Sequence, residues 1–424
     1  MNTLIIGGGA AGAAAAIAAA ERGDHVTLWE RNRKPLKKLG VTGNGRGNLL
    51  NAGTPVYYEN ERFAREVLRA MPYGSLTAFL ERCGITLCME GEGRVYPAAL
   101  LACVAVEALR ARMERLGVEI RVGARATAIV PAPGGGFAVR GVQSVYEDDR
   151  AKPNGKEKKG ALLAEHALEA TAARVIVAAG GAAAPAHGTD GSAYALLTAL
   201  GHRLSPPRPA LCPLRTEERF IAGLSGQRAR ARLSLQSAAG KVLHESQGEA
   251  LFAQDGVSGI AAMQLARFWQ EGCMLRMDLR EALLGDPQGD ALAWLERRAA
   301  IWADAAAPSF GELLIGATTP ELACAILRAA GVGARAKAVD GAELEKVAET
   351  IRAFSLRVIG TRGFEAAQVT AGGIMAEDFD PATMESKLVR GLYAAGELLD
   401  VDGDCGGYNL MFAFASGLLA GLAR

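Results

Sequence analysis

The first thirty residues of this 424-residue chain restrict its fold more than any other segment. Asn2 to Ile6 is a short apolar run, as expected of a buried strand, and His25 to Glu30 is a second one. Between them lie a glycine-rich turn, Gly7 to Gly12, and an alanine-rich stretch, Ala13 to Arg22, that favours a helix. Strand, turn, helix and strand in this order make a βαβ unit, so we predict an α/β fold with a parallel sheet.

The turn matches the pattern G-x-G-x-x-G of dinucleotide-binding proteins. Gly7 permits the tight turn, Gly9 lets the backbone approach a pyrophosphate, and Gly12 lets the helix pack on the strand. The helix N-terminus offers unpaired N–H groups to the phosphates. Glu30 ends the second strand, where its carboxylate can accept hydrogen bonds from a ribose diol. The motif alone does not separate a flavin from a nicotinamide dinucleotide.

Charge and cysteine content exclude several classes of protein. The chain has 47 basic and 46 acidic residues, so we expect no nucleic-acid partner and no membrane surface. Seven scattered cysteines indicate neither a disulfide scaffold nor a zinc site, so we predict no metal and a reducing cytoplasm. The apolar N-terminus lacks a basic region and is broken by glycines, unlike a signal peptide. The apolar run Leu410 to Ala423 is too short to span a bilayer, which favours a buried helix.

The remaining chain divides by its periodicity. Pro206 to Pro209 suggests a domain boundary. Residues 211–280 alternate between apolar and polar, as in strands, whereas residues 290–355 have a helical period. Thr319 and Pro320 are typical of an N-cap and a first helical residue. Other predicted elements are helices at 61–71, 75–83 and 97–116, the last beginning with Pro97, strands at 121–130, 137–142 and 174–179, and an exposed charged loop at 146–160.

Several further segments resemble the BaiN/YhiN-type family of NAD(P)/FAD-dependent oxidoreductases, also described as aminoacetone-oxidase-like flavoproteins. The resemblance runs nearly end to end and is weakest at about 280–355. Two positions depart from the family pattern: Gly47 stands where a Cys is usual, and Ala179 where a Thr is usual. The matching segments are Lys38–Asn51, Gly93–Pro97, Arg174–Gly181, Gly188–Gly191, Gly248–Phe252, Gly256–Gly259, Val369–Ile374, Gly391–Asp400 and Gly406–Leu410.

The resemblance implies a glutathione-reductase-like Rossmann FAD-binding domain with an inserted β-barrel and helical subdomain. We therefore expect a discontinuous FAD-binding domain at 1–205 and 356–424, a β-rich insert at 206–280 and a helical insert at 281–355. The implied cofactor is FAD. Since no second G-x-G-x-x-G with a strand and an acid is present, NAD(P)H would serve only as a transient electron donor.

The expected cofactor contacts follow from the glycine loops and the resemblance. Arg46 is expected at an FAD phosphate or the flavin ring edge, and Asn48 at the ring or holding the loop. Glu397 is expected to face a ribitol hydroxyl, and the last helix to point its N-terminus at the flavin pyrimidine. The complete predicted set is Gly7, Gly9, Ala10, Ala11, Gly12, Glu30, Lys38, Gly45, Arg46, Asn48, Ala126, Ala179, Gly180, Gly181, Gly396, Glu397, Gly407, Tyr408, Asn409 and Leu410.

The substrate and the catalytic acid are less constrained. Asp404, Cys405 and Tyr408 lie in the loop expected to approach the ring and are the candidate proton donors. The leading hypothesis is a NAD(P)H-driven reductase that passes a hydride through flavin N5 to an unsaturated or carbonyl-conjugated small molecule. The alternatives are a flavin oxidase of a small amine or alcohol, an FAD-dependent RNA-modifying protein, and a non-catalytic FAD-binding protein. The oligomeric state is open.

Overall fold

The computed structural model describes residues 1–147, 150–151, 157–158, 160–303, 307–337 and 341–424. It contains two compact units, Met1–Arg208 with Val369–Arg424, and Pro209–Gln368. The strands are β1 Asn2–Ile6, β2 His25–Glu30, β3 Leu50–Asn51, β4 Tyr57–Glu59, β5 Leu87–Met89, β6 Arg94–Pro97, β7 Glu119–Val122, β8 Ala124–Pro131, β9 Phe137–Tyr146, β10 Arg150–Ala151, β11 Glu157–Lys158, β12 Leu162–Ala172, β13 Arg174–Val177, β14 Leu204–Ala210, β15 Leu214–Thr216, β16 Arg228–Gln236, β17 Val242–Ala253, β18 Gly256–Ser258, β19 Met274–Asp278, β20 Phe354–Thr361, β21 Val369–Ile374, β22 Leu392–Ala394 and β23 Val401–Gly403. The α-helices are α1 Ala10–Glu21, α2 Glu61–Ala70, α3 Tyr73–Arg82, α4 Ala102–Arg115, α5 Tyr194–Thr198, α6 Ile260–Gln264, α7 Arg280–Leu284, α8 Ala291–Ile301, α9 Phe310–Leu313, α10 Pro320–Ala330, α11 Gly341–Arg352 and α12 Tyr408–Leu422.

The first unit is built on a five-stranded sheet in the order β22-β13-β1-β2-β7. Every neighbouring pair in it is parallel, which confirms the predicted α/β class and parallel sheet. The inner strands are almost continuously apolar because both faces are covered. Since β1 lies between β13 and β2, the chain reverses its winding direction at β1. Ligands of open α/β sheets bind beyond the carboxyl ends of the strands at such a reversal.

Helices α1 and α12 pack side by side through small residues. A Cβ built on Gly417 would overlap the Ala11 carbonyl, and one built on Gly421 would lie 2.5 Å from the Ala15 oxygen. Because positions 11 and 15 meet 417 and 421 in the same order, the helices run parallel. Their N-termini therefore point the same way. The predicted buried helix at 410–423 is confirmed, since nearly all of α12 is inaccessible to solvent.

The helix boundaries differ most from the sequence-based ones at the starts of α1 and α4. Helix α1 begins at Ala10, three residues earlier than expected, so the last part of the glycine motif is itself helical. The prediction that Pro97 begins a helix is wrong. Pro97 ends strand β6, and α4 begins at Ala102. Pro97 is the last residue of β6, the middle strand of β3-β6-β5; it pairs with Leu87 on β5 and lies beyond the pairing of β6 with β3, so its missing N–H breaks no bond on that side.

The second unit contains a closed barrel in the order β15-β18-β17-β16-β19-β20. The alternation in Arg228–Gln236 produces this shape directly, because its alanine and leucine side chains are buried while its arginines are exposed. Thr319 caps α10 by accepting a hydrogen bond from the Leu322 N–H, with Pro320 at the first helical position, as predicted. The barrel and helical insert are both present. No helix in the described chain has the length and apolarity needed to cross a membrane.

Strand β20 closes the barrel although it follows the helices in sequence, so residues 356–368 belong to the second compact unit rather than with the nucleotide-binding part. Part of the charged loop expected at 146–160 lies outside the described residues, and among those described β10 and β11 pair in antiparallel orientation.

Candidate dinucleotide site

The carboxyl edge of the parallel sheet gathers most of the predicted cofactor residues. Strand β1 leads into Gly7, β2 ends at Glu30, and β13 leads into Ala179, Gly180 and Gly181. Strand β22 leads into Gly396 and Glu397. Parallel strands with neighbouring carboxyl ends bring these segments together although they are up to several hundred residues apart in sequence.

The geometry of the first glycine turn leaves one side open. Gly7 has φ +104, and a Cβ there would lie 2.5 Å from the Ala178 carbonyl oxygen. A Cβ on Gly12 would overlap the Gly7 carbonyl. By contrast, a Cβ on Gly9 would meet no heavy atom within 4 Å. Gly7 and Gly12 thus serve close packing, whereas Gly9 borders open space at the N-terminus of α1, which no side chain caps.

The Glu30 carboxylate stabilises the first glycine turn through hydrogen bonds. Its Oε2 accepts a hydrogen bond from the Gly8 N–H at 2.8 Å, and its Oε1 accepts bonds from the Asn32 backbone and side-chain nitrogens, both at 2.7 Å. The side chain is buried at the end of β2. Because a carboxylate oxygen can accept two hydrogen bonds, Oε2 keeps capacity for a further donor such as a ribose hydroxyl.

Lys38 and Glu397 form an ion pair that links distant segments. Lys38 Nζ lies 2.6 Å from Glu397 Oε2 and 3.3 Å from the Ala183 carbonyl oxygen. Glu397 Oε1 accepts hydrogen bonds from the Thr370 N–H and hydroxyl, both at 3.0 Å. The Thr370 hydroxyl in turn accepts from the backbone N–H groups of Ala182 and Ala183, each at 2.9 Å. Thr370 therefore fixes the glycine loop after β13 and the predicted ribitol-facing acid together.

Sequence reasoning did not single out Thr370 as a functional residue. It is fully buried and is the polar side chain in the strand sequence VTAGGI. Ser416 was also missed: in the apolar helix α12 its hydroxyl accepts a hydrogen bond from the Gly396 N–H at 3.0 Å. A lone hydroxyl residue in an otherwise apolar element is a signal that could have identified both, because buried polar groups are nearly always bonded.

The loop at 39–48 folds back through left-handed residues. Gly43, Asn44 and Gly45 have φ values of +57, +56 and +83, and Gly47 follows at +75. Arg46 does not stand free: its guanidinium pairs with Glu90 at 2.5 Å and lies 4.6 Å above the Tyr96 ring. Asn48 follows, and its Oδ1 is buried with no hydrogen-bond partner among the described residues.

Helix α12 begins beside this loop. Gly407 is its N-cap residue, and a Cβ built on Gly407 would lie 2.8 Å from Asn48 Oδ1. No side chain caps the helix. Asn409 instead braces the preceding turn, accepting from the Gly403 N–H and donating to the Gly403 carbonyl. Leu410 is half-buried in the first turn. The predicted residues 407–410 thus lie at an uncapped helix N-terminus beside Asn48.

The candidate proton donors lie in and next to this turn. Asp404 Oδ1 accepts a hydrogen bond from the Tyr58 hydroxyl at 2.9 Å, which occupies one of its oxygens. Burial raises the pKa of the Cys405 thiol, and the nearby Arg94 only partly offsets this. Burial also raises the pKa of Tyr408, with Asp404 acting in the same direction. Cys405 and Tyr408 therefore both keep their protons at neutral pH.

Ala126 lies apart from these loops in the chain, on β8 at a bulge between Ala126 and Ala128. It is half-buried and packs against the main apolar core of the first unit. No three His, Cys, Asp or Glu side chains of the described ranges cluster as a metal site requires.

The two uncapped helix ends are suited to one elongated ligand. Because Gly417 contacts Ala11 and the helices are parallel, Ser416 lies level with Ala10, the first residue of α1. Tyr408, the first residue of α12, is eight residues before Ser416, so the two N-termini are offset by about 12 Å along the helix direction. Both carry a partial positive charge and unpaired N–H groups. The open side of Gly9 suits a pyrophosphate, and the uncapped N-terminus of α12 suits the carbonyl oxygens of a flavin ring. The residues present therefore fit FAD.

The parallel sheet, the glycine turn and the two helix ends define a dinucleotide-binding flavoprotein. The family model described as "HI0933-like protein Rossmann domain" matches residues 1–423, and the chain belongs to this family. The BaiN/YhiN-type resemblance is thereby confirmed. Its members are FAD-dependent oxidoreductases, and the chain is an enzyme of this class.

The chain is similar to two relatives and to one solved structure. It is 33% identical to the 3-dehydro-bile acid delta(4,6)-reductase of Clostridium scindens, over 99% of this chain and 98% of the relative. It is 25% identical to the ribosomal RNA dihydrouridine synthase of Haemophilus influenzae, over 99% and 97%. The 3-ketosteroid-delta4-(5alpha)-dehydrogenase of Rhodococcus jostii aligns over 99% and 96% of the two chains, with 17% identity and a TM-score of 0.46.

Proposed function

We propose that this enzyme is a NAD(P)H-driven reductase that saturates a carbon–carbon double bond conjugated to a carbonyl group in a small molecule. The observation that carries the proposal is the similarity, along nearly the whole chain, to a relative named as a bile acid delta(4,6)-reductase. The name of the second relative implies the same kind of reaction, because dihydrouridine differs from uridine by saturation of a ring double bond next to a carbonyl.

The overall reaction takes one hydride from NAD(P)H and one proton from the protein or solvent. One C–H bond forms at each carbon of the double bond as its π bond breaks. Bound FAD supplies the hydride chemistry at flavin N5. The chain contributes the glycine turn and α1 for the pyrophosphate, the α12 N-terminus for the flavin ring, and a positioned proton. Tyr408 and Cys405 hold such protons at neutral pH.

The nicotinamide donor would bind only transiently. The chain carries one G-x-G-x-x-G with a following helix, strand and acid, and that motif belongs to FAD. NAD(P)H would therefore react and leave before the unsaturated substrate enters.

Anaerobic titration of the FAD-loaded enzyme with NADPH and then NADH tests the donor. We expect the flavin absorption to bleach with at least one of them and to return when 2-cyclohexen-1-one or androst-4-ene-3,17-dione is added. Cyclohexene, which lacks the carbonyl, is the matched control and should not restore the absorption. A flavin that resists both nicotinamides but releases peroxide with an amine or alcohol would establish the oxidase alternative instead.

A uridine in structured RNA is the second candidate substrate, because the second relative is named a ribosomal RNA dihydrouridine synthase. The charge pattern of the barrel favours a small molecule. RNA binding depends on cations that are free to neutralise phosphates, whereas the exposed arginines of β16 are already paired with carboxylates. These pairs, at 2.6, 3.0 and 2.7 Å, are Arg228–Glu249, Arg230–Glu281 and Arg232–Glu245.

Incubation of enzyme, FAD and NADPH with ribosomal RNA separates the two substrates. We expect little dihydrouridine by mass spectrometry under conditions where an enone is consumed. Substantial dihydrouridine without enone turnover would make RNA the substrate.

A further inference from the structure

The segment Gly93–Pro97 contains an arginine that has no part in the predicted cofactor contacts. Arg94 begins strand β6, the middle strand of the small sheet β3-β6-β5. Its side chain is 28% exposed, so a molecule from solution can reach the guanidinium. Its Nη2 pairs with Glu92, whose side chain is 76% exposed. Exposed ion pairs contribute only about 0–1 kcal/mol, and the guanidinium keeps further N–H donors for another acceptor.

Asn51 holds the strand of Arg94 beside the turn that carries the candidate proton donors. Its Nδ2 donates to the Gly406 carbonyl at 2.8 Å and to the Glu92 carbonyl at 3.3 Å. Asn51 is also the residue opposite Arg94 in the pairing of β3 with β6. Because one buried amide bonds to both segments, Arg94 and the turn at 404–408 are neighbours.

The missing side chain of Gly406 leaves a space beside Arg94. A Cβ built on Gly406 would lie 3.9 Å from Arg94 Nε, 3.8 Å from Tyr408 Cε2 and 3.3 Å from Asn51 Nδ2. Arg94 and Tyr408 therefore border the same small space. The charge of Arg94 reaches the proton donors too: burial raises the pKa of Cys405 and of Tyr408, and Arg94 acts on both in the opposite direction.

Reduction of a conjugated double bond needs positive charge at one substrate atom and a proton at another. As a hydride from reduced FAD forms a C–H bond at the β carbon, the π electrons move to the carbonyl oxygen and give an enolate. The α carbon then takes a proton, the carbonyl group is restored, and the proton donor is reprotonated from water. A fixed donor at the carbonyl oxygen lowers the barrier because negative charge develops there.

We propose that Arg94 is a catalytic residue that donates hydrogen bonds to the carbonyl oxygen of the substrate and stabilises the enolate, while the turn at 404–408 supplies the proton. The inference rests on the proposed reductase function and names the group that activates its substrate. A guanidinium suits this task because it is always charged and presents its N–H donors in a fixed plane. The absence of a side chain at Gly406 keeps the approach to Arg94 and Tyr408 open.

A purely structural role for Arg94 predicts a different result from enolate stabilisation. If Arg94 only supported its strand and Glu92, its loss would slow the reduction of every acceptor by the same factor. If it stabilises an enolate, its loss should matter much more for 2-cyclohexen-1-one than for 1-nitrocyclohexene. The nitro group spreads the developing negative charge over its own oxygens and needs less help from a cation.

The experiment is stopped-flow reoxidation of the FAD-loaded enzyme after reduction with dithionite, so the result does not depend on the nicotinamide donor. We expect Arg94→Gln to slow reoxidation by 2-cyclohexen-1-one about a hundredfold. Reoxidation by 1-nitrocyclohexene should slow by less than about tenfold. Arg94→Lys keeps the charge but loses the planar donors, so it should recover part of the rate with the enone.

Arg121→Gln is the matched control. Arg121 on β7 also pairs with an acid two positions earlier in the chain, Glu119, at 2.7 Å. Its loss should leave both rates unchanged. Equal slowing with the two acceptors in Arg94→Gln, or no slowing with either, would overturn the role of Arg94. A wild type whose reduced flavin is reoxidised by neither acceptor would instead contradict the proposed reductase function.

Discussion

Asp400 and Asp378 are two buried acids whose pKa values are shifted in opposite directions. Burial raises the pKa of Asp400 to about 6, although its oxygens accept hydrogen bonds from the Ala376 N–H and the Asn60 amide. Burial also acts on Asp378, but the hydrogen bonds from Arg203 outweigh it and hold the pKa below its usual value.

We predict that Asp400→Asn removes the loss of stability that the wild type undergoes as the pH rises toward neutral. An acid whose pKa is raised on folding stabilises the protein fully at low pH, and this contribution disappears as pH rises from about 4 to about 6. The substituted protein should therefore gain stability relative to wild type across this interval, by about 2 kcal/mol. Urea unfolding at several pH values measures the difference. Asp378→Asn should lose stability instead, most strongly above pH 4; the same sign for both variants would contradict the argument.

Gly45 and Gly47 form a matched pair for separating backbone strain from steric conflict. Both have positive φ, but a Cβ on Gly45 meets nothing within 4 Å, while one on Gly47 lies 3.0 Å from Ala102 Cα at the start of α4. We expect Gly45→Ala to cost about 1 kcal/mol, and Gly47→Ala at least 1 kcal/mol more, in urea unfolding of the apoprotein. Equal costs would show that α4 shifts away from the added methyl group at position 47 without an energetic penalty. The same obstacle meets the cysteine that is usual at position 47.

Tyr408 is the residue at which proton delivery can be tested. Tyr408→Phe should leave bleaching by NAD(P)H unchanged but slow reoxidation by an enone about a hundredfold, the lower end of the effect of a general acid. Stopped-flow absorbance measures both half-reactions. Cys405→Ala is the control from the same turn. If only the cysteine variant is slow in the second half-reaction, the thiol is the proton donor.

At the scale of elements, the contact between α1 and α12 holds the two helix N-termini at one edge of the sheet. It depends on residues without side chains, because Gly417 and Gly421 meet backbone carbonyls of α1 directly. We predict that Gly417→Ala lowers the free energy of unfolding by about 3 kcal/mol and weakens FAD binding, since the helices must separate. Gly74 in α3 is the matched control: like Gly417 it has an ordinary φ, but a Cβ built on it would meet no heavy atom within 4 Å. Gly74→Ala should be neutral or stabilise by up to about 0.5 kcal/mol. A neutral Gly417→Ala would show that the packing is looser than described.

At the scale of the whole molecule, FAD should contact both helix ends, which are offset by about 12 Å along the helix direction. FAD at a hundred times its Kd should stabilise the protein by about 2.7 kcal/mol. ADP carries the adenosine and both phosphates but no flavin ring, and FMN carries the ring with a single phosphate, so at the same concentration each should stabilise less than FAD. Thermal unfolding with each ligand tests this. Equal stabilisation by ADP and FAD would mean that α12 contributes no binding.

The sequence by itself determined the elements whose signals are local. The βαβ unit, the barrel strand at 228–236 and the cap at Thr319 were predicted because periodicity, glycine spacing and capping residues act over a few positions. Pro97 was misplaced because a proline suits both the start of a helix and the last residue of a strand, and only the pairing with Leu87 distinguishes them. The first and last residues of α1 and α4 likewise depended on packing.

Only the tertiary structure decided how distant segments meet. Lys38 and Glu397 are 359 positions apart, and Thr370 joins them to the loop after β13. Asn48 lies against Gly407 because a left-handed loop and a parallel helix pair bring them together. Such contacts are set by the folding of the whole chain around its sheet, and no pattern within a short window of sequence encodes them. The fold and cofactor class were therefore readable from the sequence, whereas the hydrogen-bonding arrangement of the site was not.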